Sequence, residues 1–235
     1  MKLRREKLLK MIEHTVLKPN ATYSDVEQYC RDALRYGFGA VYVSPCYVKL
    51  ARSIISDREI SVGTVVSFPL GFDKTDVKVY EAEKALEDGA NTIDMVMNIN
   101  MFKSGDLDYV LDDIKAVVER VKEISRDVPV KVIIETGFLT EQEISKATEI
   151  VVKAGADYVK TCTGFGPRGV TIRDIMIIRR TLEHMGVYGK VKIKAAGGIR
   201  TLTQMLSLVK AGASKIGTST GVNIAQEMRK PYFEI

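Results

Sequence analysis

The chain has 235 residues, of which 46% are hydrophobic and 28% charged, with a formal net charge of +5. This length suits one α/β barrel, and the sequence holds no apolar run of 18 or more residues that would predict a membrane span. Lysines and arginines alternate with acids and form no basic tract, so we expect neither a nucleic-acid nor a membrane partner. The three cysteines are widely spaced without a CxxC pair, which argues against a disulfide framework or a zinc site. The basic start lacks an apolar segment of signal-peptide length, so a cytoplasmic protein is expected.

Short runs rich in Val, Ile and Thr alternate with longer amphipathic stretches along the whole chain. The predicted strands are Ile12–Leu17, Ala40–Val43, Ser61–Ser67, Thr92–Asn98, Lys131–Thr136, Tyr158–Thr163, Lys192–Ala196 and Ser214–Gly217. The predicted helices are Leu3–Met11, Tyr23–Tyr36, Pro45–Ile55, Lys74–Asp88, Asp106–Ser125, Glu141–Ala154, Ile172–Met185, Leu202–Lys210 and Ile224–Met228. Eight strand–helix units predict the α/β class and a single (β/α)8 TIM barrel over residues 1–235, with a short extra N-terminal helix. A doubly wound open sheet is the alternative.

Charged residues at the carboxyl ends of the predicted strands indicate the site, because catalytic residues of a (β/α)8 barrel project from those ends. Lys160 and Lys194 lie on the sixth and seventh strands, which we expect to be neighbours about 4.8 Å apart. Asp94 lies on the fourth strand. Burial and like charge both lower the pKa of a lysine, and the neutral amine can then attack a carbonyl. The three residues therefore predict Schiff-base catalysis, whereas the alternative is that each lysine reaches solvent or forms a buried ion pair.

Three further polar residues lie near strand ends. Lys192 shares strand parity with Lys194 and precedes it by two residues, so we expect it deeper in the barrel. Glu135, on the fifth strand, is its expected ion-pair partner, in a mainly structural role. His14, on the first strand, either lines the mouth of the barrel or packs in the protein. With only two histidines in the chain, no metal site built on imidazoles is expected.

Two glycine-rich segments follow the last two strands, where barrels often bind phosphate. Gly197 and Gly198 follow the seventh strand, and the run Gly-Thr-Ser-Thr-Gly at 217–221 follows the eighth. Glycines let backbone N–H groups approach phosphate oxygens, and a hydroxyl such as that of Ser219 adds a donor. Arg200 adds positive charge. The segments therefore predict a phosphate site.

Six strings in order resemble deoxyribose-phosphate aldolases over about residues 12–221. They are His-Thr-Val-Leu-Lys-Pro (14–19), Ser-Phe-Pro-Leu-Gly (67–71), Ile-Asp-Met-Val-Met-Asn (93–98), Lys-Val-Ile-Ile-Glu-Thr (131–136), Tyr-Val-Lys-Thr-Cys-Thr-Gly-Phe (158–165) and Lys-Ala-Ala-Gly-Gly-Ile-Arg-Thr (194–201). The resemblance implies a barrel that reversibly cleaves 2-deoxy-D-ribose 5-phosphate to D-glyceraldehyde 3-phosphate and acetaldehyde, in deoxyribose phosphate catabolism. It implies no metal or organic cofactor, and we expect a homo-oligomer, either a dimer or a tetramer.

The resemblance also implies residue roles. Lys160 matches the Schiff-base lysine, Lys194 the second active-site lysine and Asp94 the proton-transfer aspartate. The implied substrate or phosphate contacts are Thr15, Thr163, Gly164, Gly197, Gly198, Gly217 and Ser219.

The chain departs from the family pattern at three positions. Glu13 stands where many members have Asp, Phe165 where some have a phosphate-binding lysine, and Lys192 where a small residue is common. Charge at the phosphate must then come from elsewhere, and Arg168 or Arg200 is the expected source. Two alternative functions stay open: a Schiff-base barrel aldolase that acts on a keto-sugar phosphate, and a non-catalytic phosphosugar-binding barrel. The second would have no need for two lysines and an aspartate together.

Overall fold

The computed structural model describes residues 2–56 and 59–235. Its strands are β1 (Lys2–Arg4), β2 (Ile12–Val16), β3 (Ala40–Val43), β4 (Ser61–Val66), β5 (Thr92–Val96), β6 (Val130–Ile133), β7 (Tyr158–Lys160), β8 (Lys192–Ala196), β9 (Lys215–Thr218) and β10 (Tyr232–Glu234). Strands β2 to β9 form a closed parallel barrel in chain order, with neighbours hydrogen-bonded all the way round. The predicted (β/α)8 barrel is therefore confirmed, and the open sheet is excluded.

Helices alternate with the barrel strands and surround them. They are α1 (Arg5–Leu9), α2 (Tyr23–Tyr36), α3 (Val48–Ile54), α4 (Thr75–Glu87), α5 (Ile99–Lys103), α6 (Leu107–Ile124), α7 (Glu141–Lys153), α8 (Ile172–His184), α9 (Leu202–Ala211) and α10 (Gly221–Glu227). The predicted N-terminal helix is shorter than expected, because β1 precedes α1 and pairs antiparallel with β10. Helix α5 was not predicted; it begins after Asn98, whose side chain accepts a hydrogen bond from the Met101 N–H.

Four of the outer helices begin with the same capping box. In each, a threonine side chain accepts a hydrogen bond from the backbone of the residue three positions on, whose side chain accepts one from the threonine backbone. The pairs are Thr22–Asp25 in α2, Thr140–Glu143 in α7, Thr171–Asp174 in α8 and Thr201–Gln204 in α9. The boxes satisfy N–H groups that a helix start otherwise leaves unpaired. They also fix where the loops from the carboxyl ends of the strands finish.

Strand alternation separates an apolar layer from a charged barrel interior. Ile93 and Met95 on β5 are fully buried in the hydrophobic core shared with the helices. Asp94 lies between them and points the other way, where it contacts side chains from β3, β7 and β8. Because successive side chains of a strand face opposite sides, the same alternation on several strands gathers the charged groups inside the barrel.

A buried ion pair in the outer layer supports the strand that carries Asp94. Lys78 on α4 and Asp113 on α6 are both fully buried, with Lys78 Nζ 2.6 Å from Asp113 Oδ2. Lys78 Nζ also donates to the carbonyl oxygen of Val96 at 3.3 Å. The pair therefore joins two helices to the carboxyl end of β5.

Candidate active site at the carboxyl end of the barrel

Five ionisable side chains meet inside the barrel, and each is at most 3% exposed. They are Glu13 on β2, Asp94 on β5, Lys131 on β6, Lys160 on β7 and Lys194 on β8. Asp94 lies at the centre, since its Oδ2 accepts hydrogen bonds from Lys160 Nζ at 2.8 Å and from Lys194 Nζ at 2.5 Å. Lys160 and Lys194 are direct register partners on adjacent strands. The structure thus brings the three residues predicted as catalytic into contact, while their catalytic role stays a prediction.

Sequence reasoning missed Lys131, a member of this cluster, and Tyr42, which is hydrogen-bonded to the cluster. The Tyr42 hydroxyl donates to Asp94 Oδ1 at 2.8 Å and accepts from Lys131 Nζ at 2.7 Å. Lys131 lies at the amino end of its predicted strand, whereas only the carboxyl ends were considered. The signal for Tyr42 was Gly63, since a glycine inside a strand often marks a close approach. A Cβ added at Gly63 would overlap the Tyr42 ring, at 2.4 Å from its nearest atom.

Glu13 is the second anion of the cluster. It forms an ion pair with Lys194 and lies 3.7 Å from Lys131 Nζ. From sequence it was recognised only as a departure from the family's Asp. Its longer side chain reaches both lysines from β2.

The pKa values of the two central lysines move in opposite directions. Burial lowers the pKa of Lys160 to about 8; the neighbouring Lys194 ammonium adds to this effect, and Asp94 opposes it. Burial also disfavours the charged form of Lys194, but Asp94 and Glu13 outweigh it, so the pKa of Lys194 is raised. Lys160 therefore loses its proton near pH 8, whereas Lys194 stays charged.

Charge balance within the cluster agrees with this division. Fully ionised, the cluster has three cations and two anions, an excess of one positive charge among buried side chains. Burial alone would raise the pKa of Asp94, but the ammonium groups of Lys160, Lys194 and Lys131 hold it far below its usual value. Burial lowers the pKa of Lys131 as well, against the attraction of Glu13 and Asp94. Because an excess buried charge is costly, the cluster favours the loss of one lysine proton.

A cavity of about 270 Å³ opens above this cluster at the carboxyl ends of the strands. Lys160 is on its wall, whereas Asp94 and Lys194 lie beneath it. The wall also includes these residues predicted to contact substrate or phosphate: Thr15, Thr163, Gly164, Gly197, Gly198, Arg200, Gly217 and Ser219. The Lys160 amine and the predicted phosphate loops therefore face the same space.

Glycine is needed at positions of the cavity wall for two different structural reasons. Gly197 and Gly198 have φ angles of 100° and 76°, which side chains disfavour, so their turn depends on glycine. Gly217 lies within β9, which ends one residue later than predicted. A Cβ added at Gly217 would lie 3.2 Å from Lys194 Cε. Gly217 therefore leaves room for the Lys194 side chain.

Of the residues that the structure describes, Lys18 and Arg200 are the other cations that line the cavity. Arg168, the other expected source of phosphate charge, does not: its guanidinium binds Asp174 at 2.6 and 3.0 Å and the carbonyl of Thr136. Of the two expected sources, Arg200 therefore lines the cavity and Arg168 does not, because the buried Asp174 carboxylate binds its guanidinium. Lys18 was missed, although it follows the first strand directly; its Nζ lies 3.1 Å from Asp25 Oδ1 on the half-exposed rim.

The structure also resolves the expectations about Lys192, Glu135 and His14. Lys192 is exposed at the amino end of β8, 5.8 Å from the Tyr158 ring, so its predicted ion pair with Glu135 is wrong. The two lie at opposite ends of the barrel, and Glu135 accepts hydrogen bonds from Thr163 instead. His14 is buried and stacks on Tyr29, with ring centroids 4.1 Å apart, so it packs in the protein and does not line the mouth. Burial lowers the pKa of His14 to about 4.

Residues 2–56 and 59–235 contain no helix with both the length and the apolar character of a membrane span. Over the same part of the chain, no group of three or more His, Cys, Asp or Glu side chains is arranged to hold a metal ion.

Comparisons with known proteins match nearly the whole chain. A family model described as DeoC/LacD family aldolase matches residues 7–227. The deoxyribose-phosphate aldolase of Thermococcus gammatolerans is 50% identical, over 94% of this chain and 96% of the relative. The solved structure of QR15, an aldolase, superposes with a TM-score of 0.87 at 41% identity, and covers 94% of this chain and 95% of its own. A deoxyribose phosphate aldolase from Aeropyrum pernix, described as a unique tetrameric structure, has a TM-score of 0.87 at 30% identity, covering 96% and 92%.

Proposed function

The chain belongs to the DeoC/LacD family of aldolases, and on that premise we propose that it acts on 2-deoxy-D-ribose 5-phosphate through a Schiff base on Lys160. The reaction is the reversible aldol cleavage to D-glyceraldehyde 3-phosphate and acetaldehyde. One observation carries the assignment of Lys160: it is the lysine that both contacts Asp94 and reaches the cavity wall.

The first step needs a neutral amine. With a pKa of about 8, roughly 10% of Lys160 is neutral at pH 7, against about 0.03% for an ordinary lysine. The neutral Nζ attacks the C1 aldehyde of the open-chain sugar, and loss of water leaves an iminium. The positive iminium nitrogen then withdraws electrons from C2.

Cleavage breaks the bond between C2 and C3. The C3 hydroxyl gives up its proton, its electrons form the carbonyl of glyceraldehyde 3-phosphate, and the C2–C3 pair moves toward the iminium to form an enamine. Protonation of the enamine carbon and addition of water release acetaldehyde and free Lys160. We assign proton relay to Asp94 acting through water, because a carboxylate whose pKa is held low passes a proton on instead of keeping it.

Lys194 stays protonated beside the reacting amine. Its raised pKa makes it a poor general base, but its charge disfavours protonation of Lys160. Because both nitrogens bind the same oxygen of Asp94, the three groups titrate as one system. Lys194 thus prepares Lys160 electrostatically.

The phosphate binds at the other end of the cavity in this proposal. Gly197 and Gly198 offer backbone N–H groups, and Ser219 offers a hydroxyl. Lys18 and Arg200 supply the charge that Phe165 does not. Lys18 would exchange its contact with Asp25 for the phosphate.

Substrate preference tests the phosphate assignment. Lys18→Gln and Arg200→Gln should each lower kcat/KM for 2-deoxyribose 5-phosphate by about tenfold or more, as charge-assisted hydrogen bonds are lost. Both variants should leave kcat/KM for unphosphorylated 2-deoxyribose within about twofold. Lys49→Met is the control, since Lys49 is an exposed lysine on α3 that pairs with Asp88 and does not line the cavity. Equal losses on both sugars would remove the residue from the phosphate site.

A coupled assay for glyceraldehyde 3-phosphate and acetaldehyde tests the reaction itself. Wild-type protein should release both products from 2-deoxyribose 5-phosphate, and Lys160→Met should release neither. Release of dihydroxyacetone phosphate from a keto-sugar phosphate, with deoxyribose phosphate left intact, would favour the rival aldolase. Binding of phosphosugars without turnover would favour the non-catalytic barrel.

We also propose a cytoplasmic homo-oligomer, either a dimer or a tetramer. The tetrameric aldolase of Aeropyrum pernix, at 30% identity, supports an assembly of this kind. Light scattering coupled to size-exclusion chromatography should give a mass two or four times 26.1 kDa. A monomer mass at micromolar concentration would contradict the assembly.

A further inference from the structure

Glu135 is a buried carboxylate that the reaction above does not use. It is 1% exposed, and no basic nitrogen of residues 2–56 and 59–235 lies within 4.0 Å of its oxygens. Its Oε1 has no hydrogen-bond partner among those residues. A buried carboxylate without a cation is costly, so its place beside the site calls for a reason.

The backbone directs Glu135 toward the loop that follows Lys160. The φ angle of Glu135 is 51°, a left-handed conformation that is uncommon for a residue with a side chain. On either side, the Ile134 N–H donates to the carbonyl of Lys160 and the Thr136 N–H to that of Thr161. The turn is thus fixed at both ends to the end of β7 and the residue after it, and the carboxylate crosses from the fifth barrel strand to the sixth.

The carboxylate holds that loop through Thr163. Glu135 Oε2 accepts from the Thr163 backbone N–H at 2.9 Å and from the Thr163 hydroxyl. The loop also lies directly on the carboxylate, because a Cβ added at Gly166 would be 2.7 Å from Glu135 Cδ. The segment from Thr163 to Gly166 is therefore positioned by one buried side chain.

These contacts decide what the Thr163 hydroxyl can do. Its single hydrogen goes to Glu135, and its oxygen already accepts from the Phe165 N–H at 3.0 Å. A hydroxyl has one donor hydrogen and two acceptor positions. Since Thr163 lines the cavity, it can meet a ligand there only as an acceptor, through its remaining lone pair.

We propose that Glu135 is a positioning residue for the aldol reaction: it holds the Thr163–Gly166 loop and makes the Thr163 hydroxyl an acceptor for a hydroxyl group of the sugar. The inference rests on the proposed function, because acetaldehyde alone has no hydroxyl for Thr163 to accept from. Glu135 acts through Thr163 and does not itself touch the substrate.

A double-mutant cycle tests this dependence. Glu135→Gln and Thr163→Val should each lower kcat/KM for 2-deoxyribose 5-phosphate by about ten- to a hundredfold. The kcat/KM of the double variant should be no lower than that of the less active single variant, because the two residues act as one unit. Thr163→Ser should keep near-wild-type activity, and Glu149→Gln, at a half-exposed position on α7, is the charge control. A double-variant loss equal to the product of the single losses would overturn the proposal.

A second readout separates positioning from general damage. Borohydride trapping of the Lys160 imine with acetaldehyde should proceed at the wild-type rate in Glu135→Gln, since no sugar hydroxyl takes part. Gly166→Ala, which presses on the same carboxylate from the loop, should reproduce the pattern of lost sugar turnover with intact acetaldehyde trapping. Loss of acetaldehyde trapping in Glu135→Gln would show a structural role and overturn the proposal. Absence of trapping in the wild-type protein would instead refute the proposed function.

Discussion

Replacing Lys194 by methionine should raise the pH at which the enzyme becomes active. Both lysine nitrogens bind Asp94 Oδ2, Lys160 at 2.8 Å and Lys194 at 2.5 Å, so they lie at most about 5.3 Å apart. Two unit charges at that distance repel by about 3 kcal/mol at an effective dielectric constant of 20. One pKa unit corresponds to about 1.4 kcal/mol, so Lys194→Met should move the titration of Lys160 upward by about 2 pH units.

The direction of the change in activity follows from which protonation state of Lys160 reacts. Only the neutral amine attacks the aldehyde, so kcat/KM rises with pH up to the pKa of Lys160, about 8, and falls about tenfold per pH unit below it. Loss of the Lys194 charge favours the protonated form, so activity near pH 7 should drop by about a hundredfold. Much of that loss should be recovered at high pH.

The assay is the pH dependence of kcat/KM for retro-aldol turnover, measured from pH 5 to 10. Lys192→Met is the matched control, since it removes an exposed lysine from the same strand two residues away. Its profile should coincide with that of the wild-type protein. A Lys194→Met profile with an unchanged acid limb would refute the electrostatic role of Lys194.

Two further predictions concern the phosphate end and the outer layer. Ser219→Asp should raise KM for 2-deoxyribose 5-phosphate roughly tenfold to a few hundredfold by repelling the phosphate, while leaving KM for 2-deoxyribose unchanged; an unaltered KM for the phosphorylated sugar would remove Ser219 from the site. Lys78→Met should lower the free energy of unfolding by about 3–5 kcal/mol in urea titration, because it leaves the fully buried Asp113 carboxylate without its cation. The exposed pair of Lys49 with Asp88 supplies the control, for which Lys49→Met should cost less than about 1 kcal/mol. If Lys78→Met lowered the free energy of unfolding as little as the control does, the buried pair would not stabilise the protein as argued.

The sequence predicted the barrel because its signals are local and repeat eight times. Strand runs and helix patterns each depend on a few adjacent residues. The β1–β10 ribbon joins opposite ends of the chain. No local pattern marks such a pairing, so the N-terminal helix was predicted too long.

The central site was predictable for a related reason. Lys160 and Lys194 interrupt apolar strands at the carboxyl ends, and adjacent strand order makes them neighbours. Tyr42 and Lys131 were missed because their positions depend on contacts across the barrel. The residue order along one strand does not show which side chains meet across the interior of the barrel.

Lys192 was expected deep in the barrel but is exposed, because it lies at the amino end of β8. Lys192 and Lys194 share a face of β8, yet one is exposed and the other is 1% exposed. Arg168 was an expected phosphate ligand, but Asp174 holds it at 2.6 Å. Which partner a flexible charged side chain takes depends on three-dimensional distances that spacing does not encode.

Borohydride reduction in the presence of 2-deoxyribose 5-phosphate, followed by peptide mass mapping, tests the central claim most directly. We expect one reduced adduct, on Lys160, with trapping that increases with pH toward about 8. An adduct on Lys194 or Lys131 would keep an aldolase but contradict the assigned nucleophile. A folded protein that forms no adduct while still binding the sugar phosphate would contradict Schiff-base catalysis altogether.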